Sequence, residues 1–140
     1  MKTLYQTSAT ASAGRNGQVA TDDGKLSLDL SYPKEMGGTG EATNPEQLFA
    51  AGYSACFSNA ILHVAREVKV KLTQAPVTAE VGIGARAEGG FGLSVKLNVE
   101  LSLAQEQAVE LVKMAHQVCP YSNAVRNNID VGLMVNGESL

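Results

Sequence analysis

The chain has 140 residues, 44% of them hydrophobic and 18% charged, with a formal net charge of −3. That size and balance describe one globular domain over residues 1–140, able to bury its own core, and exclude a disordered chain. No basic block, no tryptophan, and only three phenylalanines and four tyrosines exclude a nucleic-acid partner held by charge or stacking.

The first fourteen residues, MKTLYQTSATASAG, lack the apolar core of a signal peptide, so a cytoplasmic protein is expected. In that compartment structural disulfides are rare. The two cysteines, Cys56 and Cys119, are then either inert core thiols or reactive ones.

In chain order, residues 4–12 read as a first strand. Gly14-Arg15-Asn16-Gly17 follows as a turn, because Asn-Gly tolerates positive φ at both positions. Arg15 would sit at or beside its tip. Asp22-Asp23-Gly24 is a second turn. Residues 25–32 alternate, with Leu26, Leu28 and Leu30 on one face. These elements predict an antiparallel meander. Residues 33–43 form a glycine-rich loop. It is not a phosphate loop, since it lacks the Gly-Lys-Ser/Thr ending.

A helix should start at Asn44-Pro45-Glu46-Gln47, with Asn44 as cap, Pro45 in the first turn and Gln47 as capping-box partner. It should run to about Val68. Between Glu46 and Arg66 it carries no charge. It is long enough to raise the question of a membrane span, but its Gln, Ser, Asn, Gly and His argue for a buried helix. Residues 77–87 and 91–102 predict a strand pair joined at Glu88-Gly89-Gly90. Ser102 and Gln105 open a second helix to about Val118, where Cys119-Pro120 breaks it. A short helix over 121–128 and a final strand over 129–135 complete an α+β fold.

Four residues carry the chemistry of interest: Arg15, Glu46, Cys56 and Cys119. A cation or a helix N-terminus stabilises a thiolate and makes it nucleophilic. Arg15 is a permanent cation, and Glu46 can grip its guanidinium in a fork. On one straight helix, however, Glu46 and Cys56 would lie about 15 Å apart along the axis and face roughly 80° apart. A shared site therefore requires a break or kink between them. Gly52-Tyr53-Ser54 offers one, with Gly ending a first helix and Ser capping a second that would carry Cys56 in its first turn.

Other readings stand beside this one. Cys56 fits an inert core thiol, Cys119 a buried cap, and Arg15 and Glu46 ordinary surface residues. His116-x-x-Cys119 has metal-ligand spacing, but Cys56 and His63 are two helical turns apart, about 10 Å, too far to share one ion. A Cys-His nucleophilic pair using His63 or His116 is a further alternative.

The segments GRNGQVATDDGKLSLDLSYPKEMGGTGEATNPEQLFAAGYSACF and VCPYSNAVRNNIDV resemble the organic hydroperoxide resistance (Ohr) family, within the wider Ohr/OsmC group. The likeness runs from about Arg15 to Val135. It implies an OsmC-like α+β fold: antiparallel sheets with central buried helices, in an intertwined homodimer with two sites near the subunit interface. It implies a thiol peroxidase that reduces alkyl and lipid hydroperoxides, with Cys56 peroxidatic, Cys119 resolving, Arg15 activating the thiolate and Glu46 orienting the arginine. It implies no bound cofactor and a dihydrolipoyl dithiol on a lipoylated protein as the external reductant.

Phe49, Tyr53 and Phe57 are expected to surround Cys56 and favour an alkyl group over bare hydrogen peroxide. The dimer has a second reason, since a helix apolar on nearly every face needs more cover than one sheet supplies. The alternatives are a peroxidase of the OsmC branch, or a non-catalytic cysteine-pair redox sensor of the same fold.

Overall fold

The computed structural model describes residues 1–140. The chain forms two compact units, Met1–Leu48 and Phe49–Leu140.

In the first unit, β1 (Ala9–Ser12), β2 (Gln18–Thr21) and β3 (Ser27–Asp29) form an antiparallel sheet in that order. The meander is as expected, but its strands are shorter than the alternation suggested. β1 starts at Ala9, and Leu4 and Tyr5 before it are exposed. Between β1 and β2, Gly14–Asn16 makes a 3-10 turn that presents Arg15. The left-handed residues are Ala13 (φ 54°) and Gly14 (φ 56°), not the Asn16-Gly17 pair. Gly17 is required for a different reason: a Cβ there would lie 1.5 Å from the Ser12 carbonyl oxygen.

The long helix α1 (Pro45–Glu67) begins where the sequence predicts. The Gln47 N–H donates to Asn44 Oδ1 at 2.9 Å. The Gln47 side chain accepts from the Thr43 hydroxyl at 2.8 Å instead of closing a capping box.

The expected corner at Gly52-Tyr53-Ser54 is absent, because α1 is one unbroken helix. A mid-helix glycine costs only about 1 kcal/mol, whereas Tyr53 within the supposed break and Phe57 one turn after it are both fully buried. Ser54 does not cap a new helix; its hydroxyl donates back to the Ala51 carbonyl at 3.0 Å. By length and composition α1 is apolar enough to cross a membrane, yet Tyr53, Phe57, Ile61 and Val64 are core residues of the second unit.

In the second unit, β4 (Val77–Ala85) and β5 (Phe91–Val99) pair antiparallel, with Val81 opposite Val95. Gly89 and Gly90 at their hairpin both take positive φ. β6 (Val131–Val135) pairs parallel to β5, with Leu97 opposite Leu133, and β7 (Glu138–Ser139) pairs antiparallel to β6. The sheet is therefore not wholly antiparallel. Parallel neighbours need a long crossover, which α2 (Gln105–Val118) and α3 (Pro120–Val125) supply. The cap position of α2 is Ala104, not Ser102. The core packs Val95, Leu97 and Val99 of β5 with Leu111, Val112 and Ala115 of α2 and the buried face of α1.

Candidate active site

Each unit contributes one pair. In the first, Arg15 and Glu46 meet in a two-pronged fork: Nη1 donates to Oε2 at 2.7 Å and Nη2 to Oε1 at 2.6 Å. The turn after β1 supplies the arginine, and the first turn of α1 supplies the carboxylate. Both side chains are largely sheltered, and the Arg15 guanidinium also lies 5.8 Å from the centre of the Tyr32 ring. The hydrogen bonds to Arg15 hold the Glu46 carboxyl below its ordinary pKa, and those to Glu46 hold Arg15 above its own.

In the second unit, Cys56 and Cys119 meet. Their sulfurs stand 3.7 Å apart, both as free thiols. Cys119 is fully buried and Cys56 half-buried. Cys119 occupies the junction between α2 and α3 in an extended conformation (φ −62°, ψ 122°). Its N–H donates to the Ala115 carbonyl and its carbonyl accepts from Asn123, so it closes one helix and opens the next.

The electrostatics at Cys56 differ from the expectation. With α1 unbroken, Cys56 lies mid-helix and gains no helix N-terminus of its own. The thiol pKa is raised, chiefly by burial and further by the neighbouring Cys119, while the backbone N–H of Tyr121 pulls it down in part. Tyr121 lies in the first turn of α3, so this contribution comes from another helix. Sequence reasoning missed this donor. The break at Pro120 was its only signal, and nothing in the sequence shows which residue that turn faces.

Gly52 accounts for the close approach of Tyr121. A Cβ at Gly52 would lie 2.9 Å from the Tyr121 hydroxyl and 3.1 Å from its ring. Gly52 and Cys56 are four apart and share a helix face, so the Tyr121 backbone reaches the sulfur while its ring covers the preceding turn. The rings of Phe49 and Tyr53 stand 6.3 Å and 5.7 Å from that of Tyr121. The expected aromatic surround is thus corrected in part. Tyr53 and Phe57 have no exposed surface and belong to the core, whereas Phe49 and Tyr121 are only partly covered.

The two histidines separate. His63 is exposed and pairs with Glu67 on its own helix. His116 is partly buried, bonds Ser122 Oγ at 3.0 Å, and has its pKa lowered by burial and by Arg126. No three His, Cys, Asp or Glu side chains converge to hold a metal ion. Chemically, the second unit offers a half-buried thiol with a hydrogen-bond donor at its sulfur and a second thiol in reach. The first offers a fixed, charged guanidinium.

Comparison with known proteins adds to this geometry. A model of the OsmC-like protein family matches residues 38–134. The chain is 49% identical over 135 residues to an organic hydroperoxide resistance protein of Xanthomonas axonopodis pv. citri, covering 94% of each. It is 45% identical over 134 residues to the organic hydroperoxide resistance protein OhrB of Bacillus subtilis, covering 93% of this chain and 96% of that one. Among solved structures, it is 71% identical to a Vibrio cholerae protein assigned to organic hydroperoxide resistance, with captopril in one of its active sites. The TM-score is 0.98, with 100% of this chain and 97% of that chain covered.

Proposed function

The chain belongs to the organic hydroperoxide resistance family of the OsmC-like proteins, and from that premise we propose that it is a cytoplasmic thiol peroxidase that reduces organic hydroperoxides to alcohols. The observation that carries the reading is the 3.7 Å approach of the half-buried Cys56 to the buried Cys119. A reactive thiol that must not over-oxidise needs a second thiol at that range.

In the proposed cycle the Cys56 thiolate attacks the distal oxygen of the hydroperoxide. The O–O bond breaks, the alcohol leaves, and Cys56 becomes a sulfenic acid. Cys119 condenses with it to a disulfide and releases water. A dihydrolipoyl dithiol, carried on a lipoylated protein, reopens the disulfide by exchange. Captopril is itself a thiol, and its place in an active site of the Vibrio relative supports a site that admits a small sulfur compound. Phe49 and Tyr121 would offer apolar contact to the alkyl group.

Arg15 is the activating cation in this reading and Glu46 its orienter. Since α1 is continuous, ten residues of helix separate Glu46 from Cys56 by about 15 Å. In this reading the arginine for a given thiol comes from a second copy of the chain, which the continuity of α1 supports. Two antiparallel α1 helices crossing at residue 51, midway between 46 and 56, would set Glu46 of the partner subunit beside Cys56. Ala51 and Ala55 are exposed on the single chain, and small residues there allow close helix approach.

The deciding experiment mixes micromolar protein with excess tert-butyl hydroperoxide and dihydrolipoamide. Many turnovers, lost in Cys56→Ser, are expected. A single oxidation per chain would make the protein a redox sensor instead, and full activity in Cys56→Ser would overturn the assignment.

A further inference from the structure

Both thiols are flanked by one hydrogen-bonded chain of side chains that the peroxidase cycle leaves unused. Tyr53 stands three residues before Cys56, His116 three before Cys119, and Ser122 three after it. The hydroxyls of Tyr53 and Ser122 lie 2.9 Å apart, and Ser122 Oγ lies 3.0 Å from His116 Nδ1. Tyr53 and Ser122 have no exposed surface, and no buried side-chain polar atom in the protein lacks a partner.

Burial keeps the Tyr53 phenol and the His116 imidazole uncharged near neutral pH. A phenol, a hydroxyl and a neutral imidazole can each both donate and accept, so the three satisfy one another in one continuous chain.

The placement of this chain matters more than its members. It ties α1, one turn from Cys56, to α3, one turn from Cys119, and ties α3 back to α2 across the bend that holds Cys119. Beside its backbone bonds and core packing, that bend has few side-chain hydrogen bonds across it. α3 is only six residues long, too short to hold its shape by its own ladder. The other side-chain tie across the junction is Arg126, whose Nη2 donates to the His116 carbonyl at 2.7 Å and to Asn123 Oδ1 at 2.9 Å. Arg126 is exposed, whereas the Tyr53–Ser122 bond is dry and joins the two thiol-bearing segments directly.

We propose that Tyr53, Ser122 and His116 are positioning residues for the resolving step: their hydrogen-bonded chain holds the Cys119 sulfur against Cys56, so that the sulfenic acid is captured before a second hydroperoxide reaches it. The inference rests on the peroxidase reading above. In the step concerned, Cys56 S–OH and Cys119 S–H give the disulfide and water. The S–O bond breaks, the S–S bond forms, and the thiol proton leaves with the hydroxide. The oxidising equivalent comes from the hydroperoxide already consumed. The sulfurs must close from 3.7 Å to about 2.05 Å, so a loosened junction slows this step more than it slows the attack on peroxide.

The test uses Tyr53→Phe and Ser122→Ala in the full-length protein, given one equivalent of tert-butyl hydroperoxide without reductant. Sulfenic acid is trapped with dimedone and the disulfide is followed by mass spectrometry. Disulfide formation should slow roughly tenfold, as for one lost buried hydrogen bond, and sulfenate formation by clearly less, through the neighbouring Tyr121 N–H alone. With excess peroxide, sulfinic Cys56 should accumulate in both variants. Disulfide formation at the unmodified rate in both variants overturns the proposal. So does equal slowing of the two steps, which would mark a general packing defect.

If Ser122→Ala fails to fold by circular dichroism, Tyr53→Phe decides alone, since it removes one oxygen and leaves Ser122 its bond to His116. Cys119→Ser serves as the control. Should it cycle like the unmodified protein, the resolving-cysteine reading fails, and that failure is distinguishable from failure of the brace.

Discussion

The sulfurs of Cys56 and Cys119 stand 3.7 Å apart although 63 positions separate the residues. Closing that separation covalently removes chain entropy from the unfolded state, about 4 kcal/mol in the loop model. Protein oxidised with one equivalent of hydroperoxide should therefore melt higher than the dithiol-reduced form, by on the order of 10 °C for a chain of this size. Calorimetry on both forms checks this. Equal melting temperatures would show that the disulfide strains the α2–α3 junction by as much as it constrains the unfolded chain.

Gly52→Ala opposes two effects. Replacing a mid-helix glycine favours the helix by about 1 kcal/mol, but the new Cβ would stand 2.9 Å from the Tyr121 hydroxyl. Tyr121 must move, and its backbone N–H is the donor at the Cys56 sulfur. The expected result is a thiol that ionises at higher pH and reacts more slowly with hydroperoxide, with little change in stability. Adding Tyr121→Ala should relieve the clash and let the helix gain appear as a higher melting temperature. Alkylation rate against pH and a thermal melt, on both variants, separate the two effects.

Glu46 predicts an acid dependence. Its folded-state pKa is depressed, chiefly by the hydrogen bonds from Arg15. The stability it contributes is complete above the unfolded carboxylate value of about 4.3, and is lost as pH falls through the lower folded value. Glu46→Gln should be less stable at neutral pH and should lose less on acidification. Urea midpoints at pH 7, 5 and 3.5 report this, and parallel curves for the two proteins would refute it.

Mixed subunits test where Arg15 acts. Arg15→Ala alone should raise the pH at which Cys56 becomes alkylatable and depress turnover by more than tenfold, the scale for removing one preorganised charge. A mixture of Arg15→Ala and Cys56→Ser chains, unfolded and refolded together, should recover activity. A mixed dimer would hold one Cys56 facing an intact Arg15 of the partner subunit. No recovery in dimers confirmed by mass spectrometry would place the arginine and the thiol in one chain. Sedimentation as a 14.7 kDa species would remove the dimer altogether.

Local rules made much of this protein legible from its sequence. The cap at Asn44, the start at Pro45 and the β4–β5 hairpin at Gly89-Gly90 follow from near-neighbour sterics and hydrogen bonds, and they stand where expected. The resemblance of two motifs named the family. Gly52 was misread because a glycine that ends a helix and a glycine that admits a ring look alike in sequence. Only the packing of Tyr121 against that turn distinguishes them.

What tertiary structure alone decided is the pairing. The residue types at 15, 46, 56 and 119 announced a cation, a carboxylate and two thiols. Which of them meet depends on contacts across 31 and 63 positions, and no local pattern encodes these. The same holds for the donor at the Cys56 sulfur and for the chain from Tyr53 through Ser122 to His116. Each exists because separate elements converge when the core excludes water, and side-chain spacing along the sequence carries no trace of that convergence.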